Sequence, residues 1–151
     1  MSRKVARELA FQIIFEIDVG KHKWREVLAR VLNEETELPQ RSREFLTVLV
    51  TGIMEHLAEI DGVIAKYARD WTVERLANTD RNILRMAVFE LKHLSEIPIG
   101  ATVNEAVELA KRYGEADSGK FVNGILGEIA RSAGTGQTPS PTRSLETTEE
   151  E

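Results

Sequence analysis

The sequence predicts an all-α fold. Almost every segment between residues 3 and 131 carries apolar residues at spacings of three and four, and none sustains an alternation of period two. Pro39, Pro98, Gly20 and Gly114 fall between those segments, where helices start or stop. Short connections between helices then point to a compact bundle.

The first helix is expected from about Arg3 to Val19, capped by Ser2 and stopped by Gly20. Its stripe is Leu9, Ile13 and Ile17 beside Ala6, Ala10 and Ile14. A second helix fits Trp24 to Asn33. Pro39 opens a long helical region carrying Phe45, Leu46, Leu49, Ile53, Leu57, Ile60, Ile64 and Tyr67, with Gly52 and Gly62 as candidate bends. Thr79 caps a helix through about Leu94, with Ile83, Leu84, Ala87, Val88 and Leu91 as its core face. Residues 95–100, with Pro98, are a connection. Thr102 and Glu105 have capping-box spacing, and Gly114 closes the helix they open. Asp117 or Ser118 caps the last helix, whose pattern fades near Ala130. From Ser132 the chain is mostly Gly, Thr, Ser, Pro and Glu with a single large aliphatic, Leu145; this composition predicts a helical domain over 1–131 and a disordered tail over 132–151.

Composition excludes several classes. There is no cysteine, so no disulfide or thiolate metal site is available, and His22, His56 and His93 lack ligand spacing in sequence. No metal or cofactor is expected. No run approaches the roughly 20 apolar residues of a membrane span, and the N-terminus is not a signal peptide. The net charge of -5 is unevenly spread. Residues 1–30 hold seven basic and four acidic side chains, net +3, and residues 131–151 are net -2, leaving -6 in the middle. A basic end on an acidic body allows RNA on one surface and a basic protein on another.

No pair of carboxylates has a spacing that singles it out for acid–base chemistry, and no Ser-His-Asp pattern stands in a recognisable context. Residues 114–120 fit the opening of a Walker A loop, but Phe121 stands where the magnesium-binding Ser or Thr belongs, and a helix precedes it instead of a strand. The chain is read as a non-enzyme.

Binding residues are more legible. Arg3 and Arg7 are four apart with Lys4 adjacent, a spacing that puts cations on one helix face for phosphate contact. Phe15 lies two turns beyond Arg7 on nearly the same side. Tyr113 and Phe121 flank a polar elbow, suited either to stacking unpaired bases or to plugging the joint. Lys120 in the first turn of the last helix can meet a phosphate together with free backbone N–H groups. Asp117 can accept a base-edge donor or cap the helix.

The segments Val103-Asn104-Glu105-Ala106 and Lys120-Phe121-Val122-Asn123-Gly124, with Leu84 to Leu91 and Ala6-Arg7-Glu8, resemble the NusB family of bacterial antitermination factors. The resemblance covers most of residues 3–130. It implies about seven helices in two packed three-helix bundles and a cytoplasmic protein without catalysis. It implies binding of single-stranded boxA RNA together with a small-subunit ribosomal protein acting as NusE, within an RNA polymerase elongation complex that holds other Nus factors and reads through ribosomal RNA operons. Carried onto this chain, the RNA surface comprises Arg3, Lys4, Arg7, Phe15, Tyr113, Asp117, Lys120 and Phe121. Asp80 matches an acidic position facing the ribosomal protein, on the other bundle. Two departures, Val5 within a usual arginine cluster and Phe15 for a common tyrosine, imply weaker RNA binding without the partner. The alternatives are a helical protein-binding scaffold, including a homodimer, and an accessory domain like that of ribosomal RNA cytosine methyltransferases.

Overall fold

The computed structural model describes residues 2–69 and 72–137. These form α1 (Ser2–Gly20), α2 (Trp24–Glu34), α3 (Gln40–Glu55), α4 (Leu57–Tyr67), a 3-10 turn (Val73–Arg75), α5 (Asn78–His93), α6 (Ile99–Tyr113) and α7 (Ser118–Gln137), with no strand among the described residues. Helices α1 to α3 pack on one another as one bundle, and α5 to α7 as a second; α4 lies against α5 and α7. Helix α5 also packs on α1 and α3 and so joins the two bundles. The all-α architecture of seven helices in two bundles is the one expected. None of the described helices is long and apolar enough to cross a membrane.

Being central, α5 buries polar side chains as well as apolar ones: Arg81, Asn82 and Glu90 lie inside with Ile83, Leu84, Met86, Ala87, Val88 and Phe89. Each buried polar group needs a partner. Glu90 is met by Arg7 of α1, whose Nε and Nη2 donate at 2.8 and 2.9 Å, and by the Thr102 hydroxyl of α6 at 2.9 Å. Arg7 is 2% exposed, and its guanidinium also faces the Phe45 ring of α3 at 5.7 Å. A second brace centres on Asp18, which accepts from Arg81 at 2.7 Å and from Asn82 at 2.9 Å. Burial alone would raise the Asp18 carboxyl, but those hydrogen bonds and the charges of Arg81 and Arg85 outweigh it and hold the group low. Arg81 further donates to the Leu76 carbonyl at 2.8 Å, and Arg85 grips Asp61 of α4 at 2.8 and 2.9 Å. The 3-10 turn and α4 are thereby tied to α5.

Several local expectations are corrected. The long region after Pro39 does not bend at Gly52 or Gly62; it breaks at His56, whose Nδ1 bonds the Gly52 carbonyl at 2.9 Å. Gly52 serves close approach instead, since a Cβ there would lie 2.1 Å from the Phe89 ring. The left-handed residue after α1 is Lys21 (φ 56), one position past Gly20. Helix α6 starts three residues before Thr102 and α5 one before Thr79, so neither threonine is a cap; Thr102 is occupied by Glu90 and Glu105 by Lys4. His56 and His93, distant in sequence, meet with ring centroids 4.2 Å apart. Helix α7 continues past Ala130 to Gln137, and of the expected tail residues 138–151 lie outside the described residues.

Removing one member of a buried ion pair leaves the other charge without compensation, at a cost of about 3–5 kcal/mol. Arg7→Ala is therefore expected to lower unfolding free energy by about that amount in urea titrations. The double change Arg7→Met with Glu90→Leu should lose much less; equal losses would show that packing, not the unpaired charge, sets the cost.

Candidate nucleic-acid interface

Neighbouring residues of a helix point about 100° apart, and this divides the expected cluster on α1. Arg3 turns toward α3, its guanidinium 5.8 Å from the Phe45 ring and partly buried. Lys4 turns toward α6 and stays exposed, with Nζ 3.3 Å from the Glu105 carboxylate. Arg7 is a correction: its guanidinium is enclosed with Glu90 and presents nothing to a phosphate. The spacing of Arg3 and Arg7 correctly put them on one face, but that face is the one against Phe45.

The outer side of α1 is joined to α6 by polar contacts. The Tyr113 hydroxyl donates to Glu8 and accepts from Gln12 at 3.0 Å, and Arg112 pairs with Glu8 at 3.0 Å. The Tyr113 hydrogen bond, above all, holds the Glu8 carboxyl below its ordinary value; burial opposes it and Arg112 assists. Tyr113 is 37% exposed and leans on Phe11 at 5.1 Å, while Phe11 meets Phe15 at 5.9 Å. Phe15 is partly buried against the core, so it reaches the elbow only through Phe11. Phe11 itself carries no sequence signal that separates it from a core residue.

The elbow between α6 and α7 is tight. A Cβ at Gly114 would lie 2.5 Å from the Ser118 Oγ and 2.8 Å from the Ala110 carbonyl oxygen. Buried Ser118 accepts the Glu115 N–H at 2.9 Å and lines one cleft with Asp80. Asp117 and Lys120 are exposed at the start of α7. Lys111, overlooked in the sequence, runs its stem along α7: a Cβ at Gly119 would stand 3.2 Å from its Cγ. Its place in the last turn of α6, two residues before Tyr113, was the available signal. Lys111 therefore faces α7, Tyr113 faces α1, and Lys120 borders a groove with Tyr67 and Arg69.

Beside the elbow is a cleft of about 270 Å³ lined by Arg75, Asp80, Glu115, Asp117 and Phe121, among others. Phe121 packs partly against the core and also borders a groove with Tyr67, Arg69 and Lys120. The expected separation between Asp80 and the elbow is therefore corrected. Asp80 belongs to the same bundle and shares the cleft with Asp117 and Phe121. Its Oδ1 is buried without a hydrogen-bond partner among the described residues.

Burial, with the nearby Glu115 charge, raises the Asp80 carboxyl against the opposing Ser118 hydrogen bond. A carboxyl that binds its proton more tightly when folded makes stability fall as pH rises through the window from its unfolded to its folded pKa. Asp80→Asn should therefore stabilise the chain at neutral pH. The gain should shrink once pH drops below the ordinary carboxylate range; thermal melts across pH check this, and a pH-independent difference would contradict it.

Residues 4–131 match the model of the NusB family. The chain is 48% identical over 132 residues to the transcription antitermination protein NusB of Pelotomaculum thermopropionicum, covering 87% of this chain and 91% of that one. The T. maritima NusB structure superposes with a TM-score of 0.82 at 35% identity, covering 95% and 96% of the two chains. A crystal structure of antitermination factors NusB and NusE in complex with dsRNA gives a TM-score of 0.80 at 32% identity over 87% of this chain and 97% of that one. With this sequence, fold and elbow, the chain belongs to the NusB family.

Proposed function

We propose that this protein is an antitermination factor that binds boxA-type RNA jointly with the ribosomal protein NusE, as an adaptor for the RNA polymerase elongation complex and without a reaction of its own. The observation that carries the reading is the family likeness to a NusB solved with both NusE and RNA. The charge pattern supports it. Lys111, Tyr113 and Lys120 are all exposed about the elbow, offering cations for phosphates and a ring for an unpaired base. Lys4 extends that surface along α1, with Arg3 at its far edge, while Phe15 supports it from beneath. Asp117 stands at the boundary, where its carboxylate can accept a base-edge donor.

The neighbouring cleft repels phosphate, because Asp80, Glu115 and Asp117 outnumber Arg75 there. It suits a basic protein segment, with Phe121 as the apolar floor. RNA and partner surfaces are thus adjacent, so one can bind across the edge of the other. A helical scaffold or a methyltransferase accessory domain is not favoured, since the relatives carry the antitermination name. Such a factor acts where transcription occurs, in the cytoplasm.

Fluorescence anisotropy with a boxA-like single-stranded RNA, its duplex and a scrambled strand tests the reading, with and without NusE. Selective binding that tightens with NusE is expected; equal weak binding to every RNA, unchanged by NusE, would overturn it. Lys120→Ala and Lys111→Ala should each weaken binding and lower the slope of log affinity against log salt by about 0.7 per lost phosphate contact. Glu115→Lys should abolish most of the tightening by NusE while sparing binding to RNA alone. Loss in the opposite order would reverse the two surfaces.

A further inference from the structure

We propose that His56, Glu59 and His93 form a binding site for a divalent transition-metal ion, best matched to Zn²⁺. Each offers one ligand atom, and these atoms all lie within 4.8 Å of one another. Bonds of about 2.0–2.1 Å to a tetrahedral ion put its ligands about 3.3 Å apart. Glu59 Oε1 and His93 Nε2 are already 3.1 Å apart, so a metal ion can replace the hydrogen between them with little movement. Two imidazoles with one carboxylate, leaving a fourth position for water, is a donor set that zinc accepts.

The surroundings hold the ligands in place. His56 Nδ1 lies 2.9 Å from the Gly52 carbonyl, which can only accept, so Nδ1 carries the proton and Nε2 keeps its lone pair. A ligand histidine whose other nitrogen donates to a backbone carbonyl has its tautomer and ring orientation fixed. His93 stacks on Phe89 at 5.2 Å, and Phe89 is itself wedged against Gly52. His56 occupies the single-residue joint between α3 and α4, Glu59 the first turn of α4, and His93 the last turn of α5. The C-terminal end of α5 favours a positive charge. With 29% of the His93 side chain and 48% of Glu59 accessible, an ion can enter from solvent. Bound there, it would clamp the α3–α4 joint to the end of the central helix.

Isothermal titration of the untagged full-length chain with ZnCl₂ tests the site, supported by the visible absorption of bound Co²⁺. One ion per chain is expected, with a melting temperature that rises with zinc concentration. His93→Gln should remove saturable binding and Glu59→Gln should weaken it at least tenfold, both with an unchanged helical CD spectrum. His22→Gln, away from the site, should bind as the parent does. Absence of saturable binding by the parent would overturn the proposal, as would binding that survives both His93→Gln and Glu59→Gln.

Discussion

Arg7 touches three other helices from a single position in α1: Glu90 of α5 directly, Thr102 of α6 through that same carboxylate, and Phe45 of α3 across its ring face. A charge so deeply enclosed is tolerable only when its donors find acceptors in correct geometry. The requirement works as a register constraint. If α1 slid by a residue along the groove between the bundles, the guanidinium would leave Glu90 and both ions would be stranded. An apolar contact in the same place would permit several nearby packings; the paired charges permit one. The arrangement of α1 beside α6, and hence of Lys4 and Glu8 beside Glu105 and Tyr113, follows from it.

Asp18 repeats the device near the other end of α1. It gathers Arg81, Asn82 and Arg85 on α5, and Arg81 passes the restraint to the 3-10 turn that precedes α5. The central helix is therefore fixed to α1 at both ends by charge and along its length by apolar packing. This explains how a helix can bury so many charged groups. They are paired with residues of a neighbouring bundle, so the ions that look costly in one helix serve as the join between two.

The helices were legible because an amphipathic face writes itself as a period, and the elbow because its polar residues interrupt that period between two aromatics. The side on which a charged residue ends was not. Arg3, Lys4 and Arg7 look alike in sequence, yet one leans on Phe45, one reaches α6 and one is entombed, since helix phase relative to neighbours is decided by tertiary packing. Gly52 could be a bend, a cap or a contact point; only the position of Phe89, brought in from another helix, selects the last. His56 and His93 carried no ligand spacing because their proximity arises from two different helices. Asp80 and the elbow lie more than thirty residues apart in sequence, and only the packing of α5 against α7 brings them to one cleft.

The ring of Tyr113 is restrained at both ends, by Phe11 under its body and by Glu8 and Gln12 at its hydroxyl. A free surface tyrosine samples several rotamers, and a partner that stacks on it must freeze them at binding. Here that loss of freedom has already occurred during folding. The exposed face of the ring is a fixed plane, so whatever docks on it must adapt its own orientation, and angular selectivity is built into the protein before any ligand arrives.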